Sequence, residues 1–215
     1  MKVIITCGPS FEPIDEVRRI TNFSTGELGV LLANRLTRDG HSVVCLKGIG
    51  ATYPGAVEAA QVIEFSTNDD LLNHLRTLAR TGAIGALFHA SALCDFKVRH
   101  VADAGGDAMK SAKISSRVDS LTIHLEPAAK VITELRALFP QTWIVGWKYE
   151  LNGDRADALA KGWRQIRENN TDACIVNGRA FGPGFGCCFK PDRLEEVGTK
   201  TELVEYLARM LRERA

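Results

Sequence analysis

Val3-Ile4-Ile5-Thr6-Cys7-Gly8-Pro9-Ser10, followed across a polar loop by Ser24-Thr25-Gly26-Glu27-Leu28, decides the fold. Val3-Ile4-Ile5 reads as a buried strand. Gly8-Pro9-Ser10 stops it, because Pro has no backbone N–H to give a ladder and Gly relaxes φ. Leu28, Leu31, Leu32 and Leu36 then share one face of a helix. A strand, a loop and a helix N-terminus make a place for an anion. The first N–H groups of a helix have no partner, and its dipole adds about half a positive charge there. Ser24 and Thr25 read equally well as caps of that helix. The loop carries Glu12, Asp15, Arg18, Arg19 and Asn22. Connections in α/β units usually take about 2–6 residues, and much longer ones tend to be functional.

Outward from this stretch, strands and helices alternate. Arg38-Asp39-Gly40-His41 ends the helix, and Ser42–Leu46 is a second strand, parallel to the first through a right-handed crossover. Ala60–Phe65 reads as a third strand. Thr67-Asn68-Asp69 opens a helix with Leu71, Leu72, Leu75 and Leu78 on one side. Ile84–Ala92 is a buried strand whose small residues let a ligand approach. Ala90-Ser91-Ala92-Leu93-Cys94-Asp95-Phe96 then falls at the carboxyl edge of the sheet, where open α/β folds bind ligands. His100 to Ser120 has no periodicity and includes Lys110 and Lys113. Leu121–Leu125 alternates as a strand, and Glu126-Pro127-Ala128-Ala129-Lys130 opens another helix. Trp143–Trp147 is a strand leading to Glu150, Asp154–Arg167 a helix, and Asp172–Asn177 a strand. Cys187–Phe189 and Arg193–Val197 form a hairpin, and Thr199-x-x-Glu202 is a capping box for a last helix. The pattern predicts one α/β domain over residues 1–215: three layers, Rossmann-like, with a mostly parallel sheet and a C-terminal hairpin and helix.

With 27 basic and 26 acidic residues, the net charge of +1 argues for neither nucleic acid nor a membrane surface as partner. No apolar run reaches the ~20 residues that span a bilayer. The six cysteines show no CxxC pair or zinc spacing, which points to a reduced, cytoplasmic protein with cysteines used in the core. Phe181-Gly182-Pro183-Gly184-Phe185-Gly186 lacks the GxxxxGK[ST] pattern and reads as a plain loop.

Glu12-Pro13-Ile14-Asp15-x-Val17-Arg18, then Asn22, then Ser24-Thr25-Gly26-x-x-Gly29 resembles the signature of phosphopantothenoylcysteine synthetase (phosphopantothenate–cysteine ligase), found as the second half of a bacterial bifunctional flavoprotein. The alanine-rich run into Asp95-Phe96, Val145-Gly146-Trp147-x-x-Glu150 and the strand ending in Asn177 extend the likeness along the chain. It departs in two places. Gly8-Pro9-Ser10 stands for a usual Gly-Gly-Thr. Lys113 is followed by Ser115 and Ser116 where the family has lysines, with Lys110 and Arg117 as partial compensation.

The resemblance implies that the carboxylate of 4′-phosphopantothenate attacks the α-phosphate of a nucleotide, and that cysteine's amine then displaces the nucleoside monophosphate. It implies catalytic roles for Asn22, polarising the acyl group through its amide, for Arg18, closing the acyl pocket from either subunit of a homodimer, and for Lys113 on the phosphates. Gly8, Ser10, Ala90, Ser91, Ala92, Asp95, Phe96, Lys113, Lys130 and Glu150 would bind nucleotide. Arg18, Asn22, Ser24, Thr25 and Gly26 would bind substrate. Mg²⁺ would accompany CTP or ATP, the first typical of bacterial members and the second of human-like ones. Its ligands are unassigned, and Asp95 with Glu150 reads equally as a ribose clamp. Asp95 also reads as a loop cap. No flavin is expected. Three alternatives stay open: a same-fold ligase for another carboxylate and amine, a non-catalytic nucleotide-binding protein, and an NAD(P)-dependent reductase.

Overall fold

The computed structural model describes residues 1–109 and 111–214. The order is β1 (Lys2–Cys7), β2 (Phe11–Pro13), β3 (Arg19–Thr21), α1 (Glu27–Arg38), β4 (Ser42–Gly48), β5 (Gln61–Phe65), α2 (Asn68–Leu78), β6 (Ala86–His89), β7 (Phe96–Ala102), β8 (Thr122–Pro127), α3 (Val131–Leu138), β9 (Trp143–Tyr149), α4 (Arg155–Asn169), β10 (Ala173–Asn177), β11 (Phe185–Phe189), β12 (Arg193–Val197) and α5 (Lys200–Arg212). Eight strands form one sheet in the order β12-β11-β10-β9-β6-β1-β4-β5. The six from β10 to β5 are parallel, and the β11–β12 hairpin adds an antiparallel edge.

Burial on both faces explains the unbroken apolar strands. Val3, Ile5, Val145 and Ile175 point to the layer of α1 and α5, where Leu32, Leu36, Leu203 and Leu207 meet them. Ile4, Val44, Leu87 and Ile144 point the other way, to Leu71 and Leu75 of α2 and to Val131 and Leu135 of α3. Ala158 and Ile166 of α4 pack on Cys174, Val176 and Cys188 beside them. All six cysteines are reduced and buried, and Cys187 and Cys188 face opposite sides of β11. The three layers, the mostly parallel sheet and the C-terminal hairpin and helix are those the periodicity implies.

Two ribbons depart from the sequence reading. The loop after β1 contains the antiparallel pair β2–β3, and β7, which pairs with β8, runs from Phe96 into the start of the stretch read as aperiodic. Neither ribbon joins the main sheet. Glu126 and Pro127 end β8 rather than opening a helix, and α3 starts only after Lys130. The alternation of Leu121–Leu125 marks β8, but β2, β3 and β7 escape such a reading because neither face of theirs covers the main core: all three residues of β3 are exposed.

The chain winds outward from β1 to β4 and β5, then returns across β1 to β6 and β9. The strand order therefore reverses between β1 and β6, which opens a crevice at their carboxyl ends. Glycines let α1 settle beside that crevice. A Cβ on Gly29 would lie 2.2 Å from Cys7 Cβ, and one on Gly26 would lie 3.3 Å from Gly8 Cα. Gly8 and Gly26 both hold φ of 77°, which side chains rarely adopt.

Gly29→Ala should push the first turn of α1 off β1. An overpacking cost of about 1–3 kcal/mol is expected, seen as a lower urea midpoint at unchanged m. An unshifted midpoint would show that the helix seat is not set by this contact.

Candidate functional site

Two cavities adjoin at the carboxyl end of the sheet. The first, of about 690 Å³, lies at the start of α1 and runs past Ala90–Leu93 to Tyr149, Leu151, Asn177 and Phe185. The second, of about 540 Å³, lies over α3 and α4 and is lined by Lys130, Lys148, Lys161 and Arg164, with Asp95 and His89. Ser91, Leu93, Trp147, Lys148 and Gln165 line both and form the wall between them.

The helix-end cavity is built around an uncapped N-terminus. Gly26 is the N-cap residue, and no side chain caps the helix. Thr25 Oγ1 accepts only a long bond from Glu27 N, 3.3 Å. The N–H groups of Leu28 and Gly29 have no partner among the described residues, so they remain available to an anion. Of the cap expected from Ser24 or Thr25, only that long Thr25 contact is present.

Asn22 stands at the end of β3, and its Nδ2 donates to the carbonyls of Leu93, 2.8 Å, and Ala92, 3.2 Å. Both amide hydrogens are therefore used on the loop after β6, which leaves Oδ1 as the free atom, an acceptor. Ser10, expected at the nucleotide, is fully buried. Its hydroxyl donates to Asn68 Oδ1, 2.7 Å, and accepts from Cys94 N, 2.9 Å. Both roles are spent inside the protein, so it positions loops and has nothing left for a ligand. Gly8 likewise acts through its backbone contact with Gly26.

Ala90 and Ala92 line the helix-end cavity, Ser91 lines both, and Asp95 and Lys130 line the lysine-lined one. Phe96 opens β7, is half exposed and lines neither. Glu150 lies outside both cavities, paired with Lys161 Nζ, 2.6 Å, and Lys148 Nζ, 3.4 Å. Burial would raise its pKa, but the hydrogen bond from Lys161 and the charge of Lys148 outweigh that and hold it below the ordinary value. Among the described residues no three His, Cys, Asp or Glu side chains gather as a metal cluster, and Glu150 is already paired with two lysines.

Arg18 and Lys113 lie together, away from both cavities. Asp15 Oδ2 accepts from Arg18 Nε, 3.1 Å, and from Ile114 N, 3.1 Å. Arg18 also donates to Ile114 O, 2.7 Å, and Glu16 N to Ala112 O, 3.0 Å. The tip of the β2–β3 ribbon thus clasps the segment that carries Lys113, which is itself exposed. Lys110 lies outside the described residues. The sequence reading also passed over His89, a histidine at the end of an apolar run whose partner, Thr6, comes from a distant strand.

A family model described as the DNA/pantothenate metabolism flavoprotein C-terminal domain matches residues 1–191. The coenzyme A biosynthesis bifunctional protein CoaBC of Thermococcus kodakarensis is 29% identical over 182 residues, 84% of this chain and 42% of that protein. The chain thus spans about two fifths of the length of this curated relative. Among solved structures, the DNA/pantothenate metabolism flavoprotein from Streptococcus pneumoniae superposes with a TM-score of 0.87 at 23% identity, covering 100% of both chains. A Cab2 variant in complex with phosphopantothenate-cysteine gives a TM-score of 0.72 at 17% identity, over 99% of this chain and 87% of that one. These structural likenesses establish the fold.

The Arg18 guanidinium, then burial against it, then the amides of Ile114, Val17 and Arg18 set the Asp15 carboxyl, which ends well below the usual carboxylate range. A depressed carboxylate pKa contributes stability above its unfolded value and loses it as pH falls. The clasp should therefore hold at neutral pH and open in acid. Asp15→Ala should abolish hydrogen-exchange protection of the Ile114 amide at pH 7 and leave that of β1 unchanged. Protection at Ile114 that survives the substitution would show that the carboxylate does not hold the segment.

Proposed function

Because the chain belongs to the DNA/pantothenate metabolism flavoprotein C-terminal domain family, we propose that it is a ligase that joins 4′-phosphopantothenate to cysteine in coenzyme A biosynthesis, driven by CTP or ATP. One observation carries this reading: two cavities, each with its own means of holding an anion, share a wall. Ligation through an acyl-nucleotidylate brings together two phosphorylated molecules, and their reacting atoms must meet. A dinucleotide reductase would need one long crevice and a glycine fingerprint, which the first turn lacks. A complex of phosphopantothenate-cysteine with a same-fold protein adds support.

The helix-end cavity suits the Mg²⁺–nucleotide. The Leu28 and Gly29 N–H groups would take its phosphates. Tyr149, Leu151 and Phe185 would give the base an apolar bed, with the Asn177 amide at its edge. This places Ser24, Thr25 and Gly26 at the nucleotide phosphates rather than at the acyl substrate. The ion would ride on the phosphates and water, in keeping with the reluctance of Mg²⁺ to shed its shell. The lysine-lined cavity suits the phosphate end of phosphopantothenate, through Lys130, Lys148 and Arg164. The substrate carboxylate then reaches the α-phosphorus along the wall at Ser91 and Leu93, and the bond to pyrophosphate breaks as the acyl bond forms. Cysteine's amine next attacks the acyl carbon, and the nucleoside monophosphate leaves. Asn22, with both N–H groups committed, is suited to accept a hydrogen bond from that amine through Oδ1.

Arg18 and Lys113 would supply charge to the activation step from the arm of a second subunit. Exposed Val17, Ile20, Phe96 and Leu125 on the two ribbons support a homodimer built there. The reaction calls on no flavin, and its partners are small molecules.

Pyrophosphate release should be measured with 4′-phosphopantothenate, Mg²⁺ and either CTP or ATP, with and without cysteine. Release is expected with one nucleotide, and Lys113→Ala should slow it about 10²-fold, the usual scale for losing one charge-stabilising donor. Folded protein that binds a nucleotide but releases nothing would turn the reading to another acyl substrate or to simple nucleotide binding.

A further inference from the structure

His89 closes β6 directly beside Thr6 of β1, its in-register neighbour. Their side chains meet inside the protein, with Thr6 Oγ1 2.9 Å from His89 Nδ1. Thr6 is fully buried and the histidine only 7% exposed. The threonine hydroxyl has no other side-chain or backbone partner among the described residues. Its hydrogen must therefore go to Nδ1, since the reverse arrangement would strand a buried O–H. A ring that accepts at Nδ1 carries its own hydrogen on Nε2. That nitrogen has no partner among the described residues, yet it is not among the buried unpartnered atoms, so it opens on the lysine-lined cavity. On the other side, Gly146 of β9 pairs in register with His89 and brings no side chain to cover it.

We propose that His89 is a binding residue: a neutral, orientation-locked N–H donor in the floor of the lysine-lined cavity, directed at a phosphate or carboxylate oxygen of the acyl substrate. Lys130, Lys148, Lys161 and Arg164 share that cavity with Asp95 and Glu168. Lys130 and Arg164, with Lys148 and Lys161 shared with Glu150, attract an anion over a distance with little angular preference. A ring locked by Thr6 supplies direction without adding charge. Burial pushes the imidazole pKa down to about 4, so the ring stays neutral across the physiological range. The identity of the bound oxygen rests on the ligase reading; the donor itself does not.

The test is long-range ¹H–¹⁵N correlation of the imidazole rings in the intact protein. The His89 signals are assigned by their loss in His89→Phe. The pattern of a neutral Nε2–H tautomer is expected from pH 8 to below pH 5. Inorganic phosphate and 4′-phosphopantothenate should each shift it. His89→Phe should weaken 4′-phosphopantothenate binding at least tenfold by calorimetry and leave nucleotide binding within twofold. Thr6→Val should release the tautomer lock and give a smaller loss. A ring protonated on Nδ1, or signals unmoved by both ligands, would overturn the proposal on wild-type protein alone. Should phosphate shift the ring while no pyrophosphate is released with either nucleotide, the ligase reading falls and the donor stands.

Discussion

The carboxyl edge of this sheet depends on one buried hydroxyl. Ser10 Oγ takes a hydrogen bond from Cys94 N and gives one to Asn68 Oδ1. The Asn68 amide then reaches the carbonyls of Cys94 and Ala129, at 2.8 and 2.9 Å. Four segments meet there: the turns after β1 and β6, the start of α2 and the approach to α3. Each bond contributes only about 1 kcal/mol net, but a partner left unmet in this buried place would cost about 1–3 kcal/mol. The network sets where Asp95, Lys130 and the cavity wall stand, and its members Asn68 and Cys94 themselves line the lysine-lined cavity.

Most of the architecture was legible in the sequence because the parallel strands are buried on both faces and read as unbroken apolar runs. Ile4 and Ile5 point into different layers, yet both are fully buried. Of the two ribbons only β8 was legible, from the alternation of Leu121–Leu125: Arg19–Thr21 is exposed throughout, and β7 is interrupted by a bulge between Val98 and His100. With no core for β3 to cover, alternation has nothing to record there. At the candidate site the sequence names residues, and the structure adds which of their atoms are already spent. Asn22 is a polar residue in a long polar loop, but only the structure shows which end of its amide is spent. Ser10 carries the polarity of a ligand residue and the burial of a core residue. Thr6 and His89 are 83 positions apart, and neither means anything without the other.

The two cavities illustrate two ways of holding negative charge in a protein whose net charge is only +1. At the start of α1 the positive end is made by backbone that glycines allow to lie open, and it costs no side chain. Over α3 and α4 it is made by lysine and arginine side chains, tempered by Asp95 and Glu168. The first is fixed in direction by the helix, and the second adapts through long side chains. If the proposed ligase holds two phosphorylated molecules here, one would meet a fixed anion seat and the other an adaptable one.

The placement of the cysteines bears on the redox character of the chain. Burial pushes the Cys187 and Cys188 thiols up to about 12 and about 11, and those of Cys94 and Cys174 upward as well. A thiol that keeps its proton is a poor nucleophile toward a disulfide. Protonation therefore holds these four sulfurs back from exchange, and burial covers Cys174, Cys187 and Cys188, while Cys94 lines the lysine-lined cavity. Those four thiols are thereby biased against exchange with a small thiol or its disulfide, whereas Cys7, in contact with Cys45, lines the helix-end cavity and is a sulfur that a molecule bound there would meet.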